Sequence, residues 1–149
     1  MISIKGSVKG QVSTELMVII AAILVLFIPL LVITYFKTAE ANEQIMQIQA
    51  QVIAIRLSEL SNSVGSAGGS SAIIAEVFVP SSVTGISVLS SENGGEVTVH
   101  SQTQNGKNDI SGLVKYDLQK AEFSFSSPGF ARFEIYKDGD GVIILKKLQ

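Results

Sequence analysis

The sequence predicts an α+β protein in which one long N-terminal hydrophobic helix precedes a C-terminal head made of an antiparallel β-sheet or β-sandwich. The residues from Leu16 to Phe36 contain no charged side chain. At about 1.5 Å per residue this run makes a helix of about 30 Å, which is the thickness of a bilayer's hydrocarbon core. After residue 71, apolar and polar residues alternate in short runs separated by turn-forming residues, as in β-strands.

The charges around the apolar run indicate its orientation in a membrane. Lys5, Lys9 and the α-amino group carry the charges of the first ten residues. By the positive-inside rule, the N-terminus lies in the cytoplasm and the residues after Phe36 lie outside. Glu15 stands one residue before the run. A carboxylate at the edge of the hydrocarbon is costly, so we expect Glu15 to have a function and a partner.

The sequence KGQVSTE, from Lys9 to Glu15, together with the apolar run after it, resembles the archaeal class III signal peptide of type IV pilin-like proteins. In that family a basic leader ends in Gly or Ala, a peptidase cuts before a Gln, and the mature chain begins Gln-x-Ser-x-Glu. The resemblance implies cleavage between Gly10 and Gln11, with Ser13 and Glu15 as the third and fifth mature residues. It is confined to the leader and the first part of the helix.

Two other interpretations of the N-terminus stay open. An ordinary secretory signal peptide would use the small residues Ala39 and Ala41 for cleavage, and the mature chain would then begin at Asn42. The apolar run is long for such a peptide and has a negative charge at its start. A permanent single-pass anchor would explain the length and the orientation, but it would leave the pattern from Gln11 to Glu15 unexplained.

The sequence divides into four parts. Residues 1–10 are the leader, residues 11–62 the long helix, residues 63–71 a Gly/Ser-rich linker, and residues 72–149 the β head. Residues 11–36 of the helix are hydrophobic, and residues 37–62 are amphipathic. The amphipathic part is expected to pack on the head through apolar residues spaced three to five apart. They are Ile45, Ile48, Val52, Ile55 and Leu60, with Met46, Ile53 and Leu57 widening the stripe.

Pro29 interrupts the hydrophobic part of the predicted helix. It cannot donate a hydrogen bond to the carbonyl of Val25, so the sequence predicts a kink or a short melted segment there. This proline is either one of those that transmembrane helices tolerate or a hinge that lets helices repack in a filament core.

The head is predicted to contain six or seven strands joined by tight turns. Turn signals stand at residues 92–95, 105–106 and 138–141. The polar segments 90–95 and 102–108 are candidate binding loops because they are exposed and rich in turn residues. The predicted strands are 73–79, 84–89, 96–101, 113–118, 122–126, 131–137 and 142–147.

No candidate site for catalysis, a metal or a cofactor emerges from the sequence. The chain has no Cys, which excludes disulfides and thiolate chemistry, and its one histidine, His100, is predicted to face solvent. Asp138 and Asp140 predict a tight hairpin turn, because the other ligands of a calcium loop are missing. No serine has a G-x-S-x-G setting or a base partner in the sequence.

The charge balance gives no reason to expect nucleic-acid binding. The formal net charge is −2, and it becomes −4 when Lys5 and Lys9 leave with the leader. A weakly acidic surface does not attract the phosphate backbone.

The resemblance implies a structural, non-enzymatic subunit of an archaeal type IV pilus-like filament, used for adhesion to surfaces or cells. Lys9, Gly10 and Gln11 would form the processing site; Ser13, Glu15 and Pro29 would act in assembly. The implied partners are copies of the same chain, a prepilin peptidase, an assembly ATPase and a membrane platform protein. The precursor would lie in the cytoplasmic membrane with its head outside. The alternatives are a membrane-anchored pseudopilin, or a surface or lipid-anchored binding protein without long filaments.

Overall fold

The computed structural model describes residues 8–69, 71–91, 93–103 and 106–148, and of residues 8–13 only the backbone. One long helix, α1 (Val8–Ser66), is followed by seven strands in these residues. The fold class predicted from the sequence is confirmed, because the long apolar N-terminal helix precedes two antiparallel sheets. The strands are β1 (Ala72–Val79), β2 (Val83–Ser91), β3 (Gly94–Thr103), β4 (Gly106–Val114), β5 (Ala121–Ser124), β6 (Gly129–Lys137) and β7 (Ile143–Leu148).

The chain forms two compact units, Met1–Asn42 and Glu43–Gln149. The described part of the first unit consists of α1 alone. The second unit contains the remainder of α1 and both sheets. The second unit is called the head below.

Helix α1 ends at Ser66, four residues beyond the predicted end at Asn62. Val64 is fully buried, so the additional turn of helix is stabilised by packing of this side chain in the core. The linker therefore begins after Ser66, and the left-handed residue that follows the helix is Gly69, with φ of 84°.

Pro29 lies inside α1, and the helix is unbroken around it. Of the two predicted outcomes, the melted segment between Val25 and Pro29 is therefore wrong, and the kink stays a prediction. A proline removes one backbone donor, and the bonds of the neighbouring turns keep the helix intact. The hinge role of Pro29 stays a prediction.

The head's sheets are both antiparallel. One has the strand order β1-β6-β7 and the other the order β4-β3-β2-β5. The predicted strand at 113–118 is wrong, because β4 occupies Gly106–Val114 and Leu118 makes only an isolated bridge to Ile143. Strand β4 is a polar edge strand whose pairing with β3 overrides its weak strand propensity. Most described residues of the predicted loops 90–95 and 102–108 therefore lie in strands.

The face of α1 that is buried in the head coincides only in part with the predicted stripe. Ile45, Ile48, Val52 and Ile55 are between 43% and 57% exposed, so these four predictions are wrong. The predictions for Ile53 and Leu57 are confirmed, and Leu60 packs against the core with its side chain partly buried. Small side chains let a strand approach the helix: a Cβ on Gly112 of β4 would lie 2.7 Å from the Ala54 carbonyl oxygen. The buried face consists of Ala50, Ile53, Ala54, Leu57, Ser58, Ser61 and Val64.

Leu57 tests this assignment of the buried face. It is fully buried, so Leu57→Ala is expected to lower the free energy of unfolding of the head by about 2–5 kcal/mol. The matched control is Ile55→Ala on the same helix, where we expect a change below about 1 kcal/mol because the side chain is exposed. Urea unfolding followed by near-UV circular dichroism measures both. Equal losses for the two variants would contradict the assignment.

Candidate functional site

The hydrophobic part of α1 exposes its apolar side chains in all directions. Every residue from Thr14 to Asn42 is exposed, and Leu26 is 74% exposed. An apolar surface of this extent is unfavourable in water and marks a contact with lipid or protein. Among the described residues, α1 is the one helix that is long and apolar enough to cross a membrane. This surface is therefore the first candidate site, and it indicates membrane anchoring.

The predicted processing and assembly residues lie at the start of α1. The helical backbone includes Lys9, Gly10, Gln11 and Ser13, whereas Lys5 lies outside the described residues. Gln11 and Glu15 stand four residues apart on the helix, which places them on one helix face. The Glu15 side chain is exposed, next to the start of the apolar run.

Polar groups mark the other end of the apolar run. The Lys37 ammonium lies 2.7 Å from a Glu40 carboxylate oxygen, and both side chains are exposed. On either side of Lys37, the Thr34 and Thr38 hydroxyls donate to the carbonyls of Leu30 and Thr34. The helix therefore changes from a surface suited to hydrocarbon to one suited to water at Lys37.

Exposed apolar side chains also occur on the part of α1 that belongs to the head. Ile48 and Val52 line a shallow groove of about 290 Å³ together with Phe78 of β1. The Phe78 ring packs edge to face on the exposed Phe130 ring, with 5.4 Å between ring centroids. The head thus carries an apolar patch, defined by Ile48, Val52, Phe78 and Phe130.

A second candidate site lies on the face of the β4-β3-β2-β5 sheet that carries its polar side chains. His100 of β3 lies with Nδ1 2.7 Å from Asp109 Oδ1 of β4 and with Nε2 2.9 Å from Ser87 Oγ of β2. The prediction that His100 faces solvent holds only in part, because its side chain is 36% exposed and both ring nitrogens have partners.

The sequence did not reveal this cluster. The sequence indicated no convincing base partner for any serine, but the sheet register places the His100 ring beside Ser87, diagonally across β2 and β3. All three residues occupy polar positions on strands that are joined by consecutive hairpins. This pattern is the sequence signal that could have revealed the cluster. Reading that signal requires the register of β4, which the sequence analysis placed too late in the chain.

The Asp138 turn is confirmed as a hairpin turn between β6 and β7. One Asp138 carboxylate oxygen accepts hydrogen bonds from the backbone N–H groups of Asp140 and Val142. The carboxylate therefore closes the turn. Among the described residues, no group of three His, Cys, Asp or Glu side chains is placed to hold a metal ion.

The apolar surface of α1 can be tested by adding charge to it. Replacing Leu24 and Leu31 together by Lys puts two charges into the hydrocarbon, at about 2.5–3.5 kcal/mol each. We expect a clear fall in the fraction of chain that resists alkaline carbonate extraction from membranes. The control replaces the same two residues by Ile and should behave as the wild type. Unchanged membrane retention of the Lys variant would contradict the assignment of this surface to lipid.

Comparison with known proteins gives no further guide to function. No protein-family model, curated protein or solved structure matches the chain.

Proposed function

We propose that this protein is a structural subunit of an archaeal type IV pilus-like filament, cleaved before Gln11 and polymerised through α1. The observation that carries the proposal is the exposed apolar surface of α1 from Leu16 to Phe36, joined to a folded β head. A membrane anchor uses this surface to contact lipid. A filament subunit uses it first to contact lipid and then to pack against copies of itself.

The free energy of moving α1 out of the bilayer supports self-association as the second use of this surface. Moving an apolar helix out of a bilayer is unfavourable by about 25 cal/mol for each Å² exposed to water. The cost disappears when each side chain is buried again against neighbouring helices, where close packing replaces lipid. A bundle of α1 helices with the heads outside meets this requirement.

Glu15 gives the bundle a means of fixing its register. Cleavage before Gln11 creates an α-amino group four residues from Glu15 on the same helix. Both charges would enter the apolar bundle, and a buried charge is stable only when it is paired. The Gln11 amine, of the same or a neighbouring subunit, is the partner we assign to Glu15. Packing arrangements of the helices that leave either charge unpaired are higher in free energy.

The other partners and the place of action follow from the same proposal. The precursor waits in the cytoplasmic membrane until a prepilin peptidase removes residues 1–10. An assembly ATPase and a membrane platform protein then lift the helix into an extracellular filament that serves adhesion. In the filament, the apolar patch of the head would contact a neighbouring subunit, since exposed aromatic and aliphatic residues favour such contacts.

The role of Glu15 separates a filament subunit from a plain anchor. Glu15→Gln removes the charge and keeps the shape, so we expect normal membrane insertion and a loss of at least tenfold in filament yield from cells. The matched control is Glu40→Gln, which changes an exposed carboxylate beyond the apolar run and should assemble as the wild type. Electron microscopy and immunoblotting of sheared filaments measure the yield. Normal yield from Glu15→Gln would remove this role.

A further inference from the structure

We propose that Ser87 is a nucleophilic serine that takes an acyl group from a small ester, with His100 as its base and Asp109 as the positioning residue. This activity goes beyond the filament role and rests on the head alone. The three residues stand on three neighbouring strands, β2, β3 and β4, so the sheet fixes their spacing. A site built on paired strands is more rigid than one built on loops.

The hydrogen-bonding capacity of each group sets the direction of both bonds. A carboxylate can only accept, so Asp109 requires that His100 Nδ1 carry a hydrogen. In the neutral ring, Nε2 then has a free lone pair, and it accepts the Ser87 hydroxyl hydrogen at 2.9 Å. This is the arrangement in which an imidazole can remove the proton of a serine.

Gly85 leaves the space beside the His100 ring open. It lies directly opposite His100 in the β2–β3 pairing, and a Cβ at this position would lie 3.8 Å from His100 Cδ2 and 3.1 Å from the Phe123 carbonyl oxygen. The polar face has a depression of about 410 Å³ here, lined by Gly85, His100, Lys107 and Glu122, among others. Ser87 stands beside this depression, through its contact with the His100 ring, rather than in its lining. A small ester can therefore approach the His100 ring.

The reaction is an acyl transfer to Ser87. The Ser87 oxygen forms a bond to the ester carbonyl carbon while its proton passes to His100 Nε2. The bond between that carbon and the alcohol oxygen then breaks, and the alcohol leaves with the proton from Nε2. The products are an acyl-serine and a free alcohol, and no oxidant or metal takes part.

The surroundings predict slow release of the acyl group. Ser87 lies on an interior strand whose backbone pairs with β3 and β5, so its N–H groups are committed to the sheet rather than to an oxyanion. The Lys107 ammonium is the cation in the lining of the depression. Without backbone donors, the oxyanion of the acylation step and that of the hydrolysis step both lack their usual stabilisation. We therefore expect both steps to be slow.

The charges near the site restrict the acyl group. Glu122 lies directly opposite Ser87 in the β2–β5 pairing, and Asp109 lines the same depression. These two carboxylates outnumber the Lys107 ammonium in the same lining and repel an anionic acyl group. The site therefore favours neutral acyl groups.

The test uses the full chain in detergent micelles and an uncharged fluorophosphonate probe, with peptide mass mapping of the product. We expect stoichiometric modification of Ser87 in the wild type and none in Ser87→Ala. The matched control is Ser111→Ala, which alters a serine on the same face that contacts Thr98 instead of the histidine and should be labelled at the wild-type rate. Absence of label on wild-type Ser87, or equal labelling of several surface serines, would overturn the proposal.

His100 and Asp109 need readouts that a purely structural role would not change. We expect His100→Ala to lower the labelling rate at least tenfold and added imidazole to restore it. Nitrogen-15 NMR of the wild type should show hydrogen on Nδ1 of neutral His100, and Asp109→Asn should shift that population toward Nε2. A wild-type ring with hydrogen on Nε2 would overturn the proposal, because Ser87 could not then donate to it. Failure of imidazole rescue would do the same.

Discussion

The structure depends on the exposed apolar surface of α1. A helix with no charged residue from Leu16 to Phe36 and no buried side chain in that range cannot rest in water, so it requires lipid or other helices. The head differs, because it buries an apolar core of its own and leaves only some apolar side chains, such as Phe78 and Phe130, exposed. The chain therefore combines one surface that must be covered from outside with one domain that has its own core. This division is consistent with the proposal that the protein is first a membrane precursor and later a filament subunit.

Within the head, the last turns of α1 complete the core that the two sheets form. Ala50, Ala54 and Ser58 make a narrow face, and Gly112 lets the backbone of β4 lie against it. Ile48 and Val52 lie on the outer side of the helix. The arrangement that packs α1 closely against β4 thus also leaves the apolar side chains of Ile48 and Val52 exposed, where another subunit can contact them.

The sequence predicted the parts of the fold that follow from local pattern. The length and composition of α1, the existence of most strands and the Asp138 turn all follow from apolar runs, alternation and turn residues. The errors have a common cause, which is tertiary contact. Strand β4 is polar and forms because β3 pairs with it, and Ile55 and Leu57 both fit a helical stripe until the sheet selects one face. The contact of Ser87 with His100 depends on strand register and could not be read from either residue alone.

The central claim is that the mature chain begins at Gln11 and that its helix then packs with copies of itself. The most direct test is the intact mass and N-terminal sequence of the protein recovered from membranes and from sheared filaments. The account predicts a chain that begins at Gln11 and is present in the filament fraction. A chain that begins at Met1 would indicate a permanent anchor, and one that begins at Asn42 would indicate a secreted domain; either result would contradict the account.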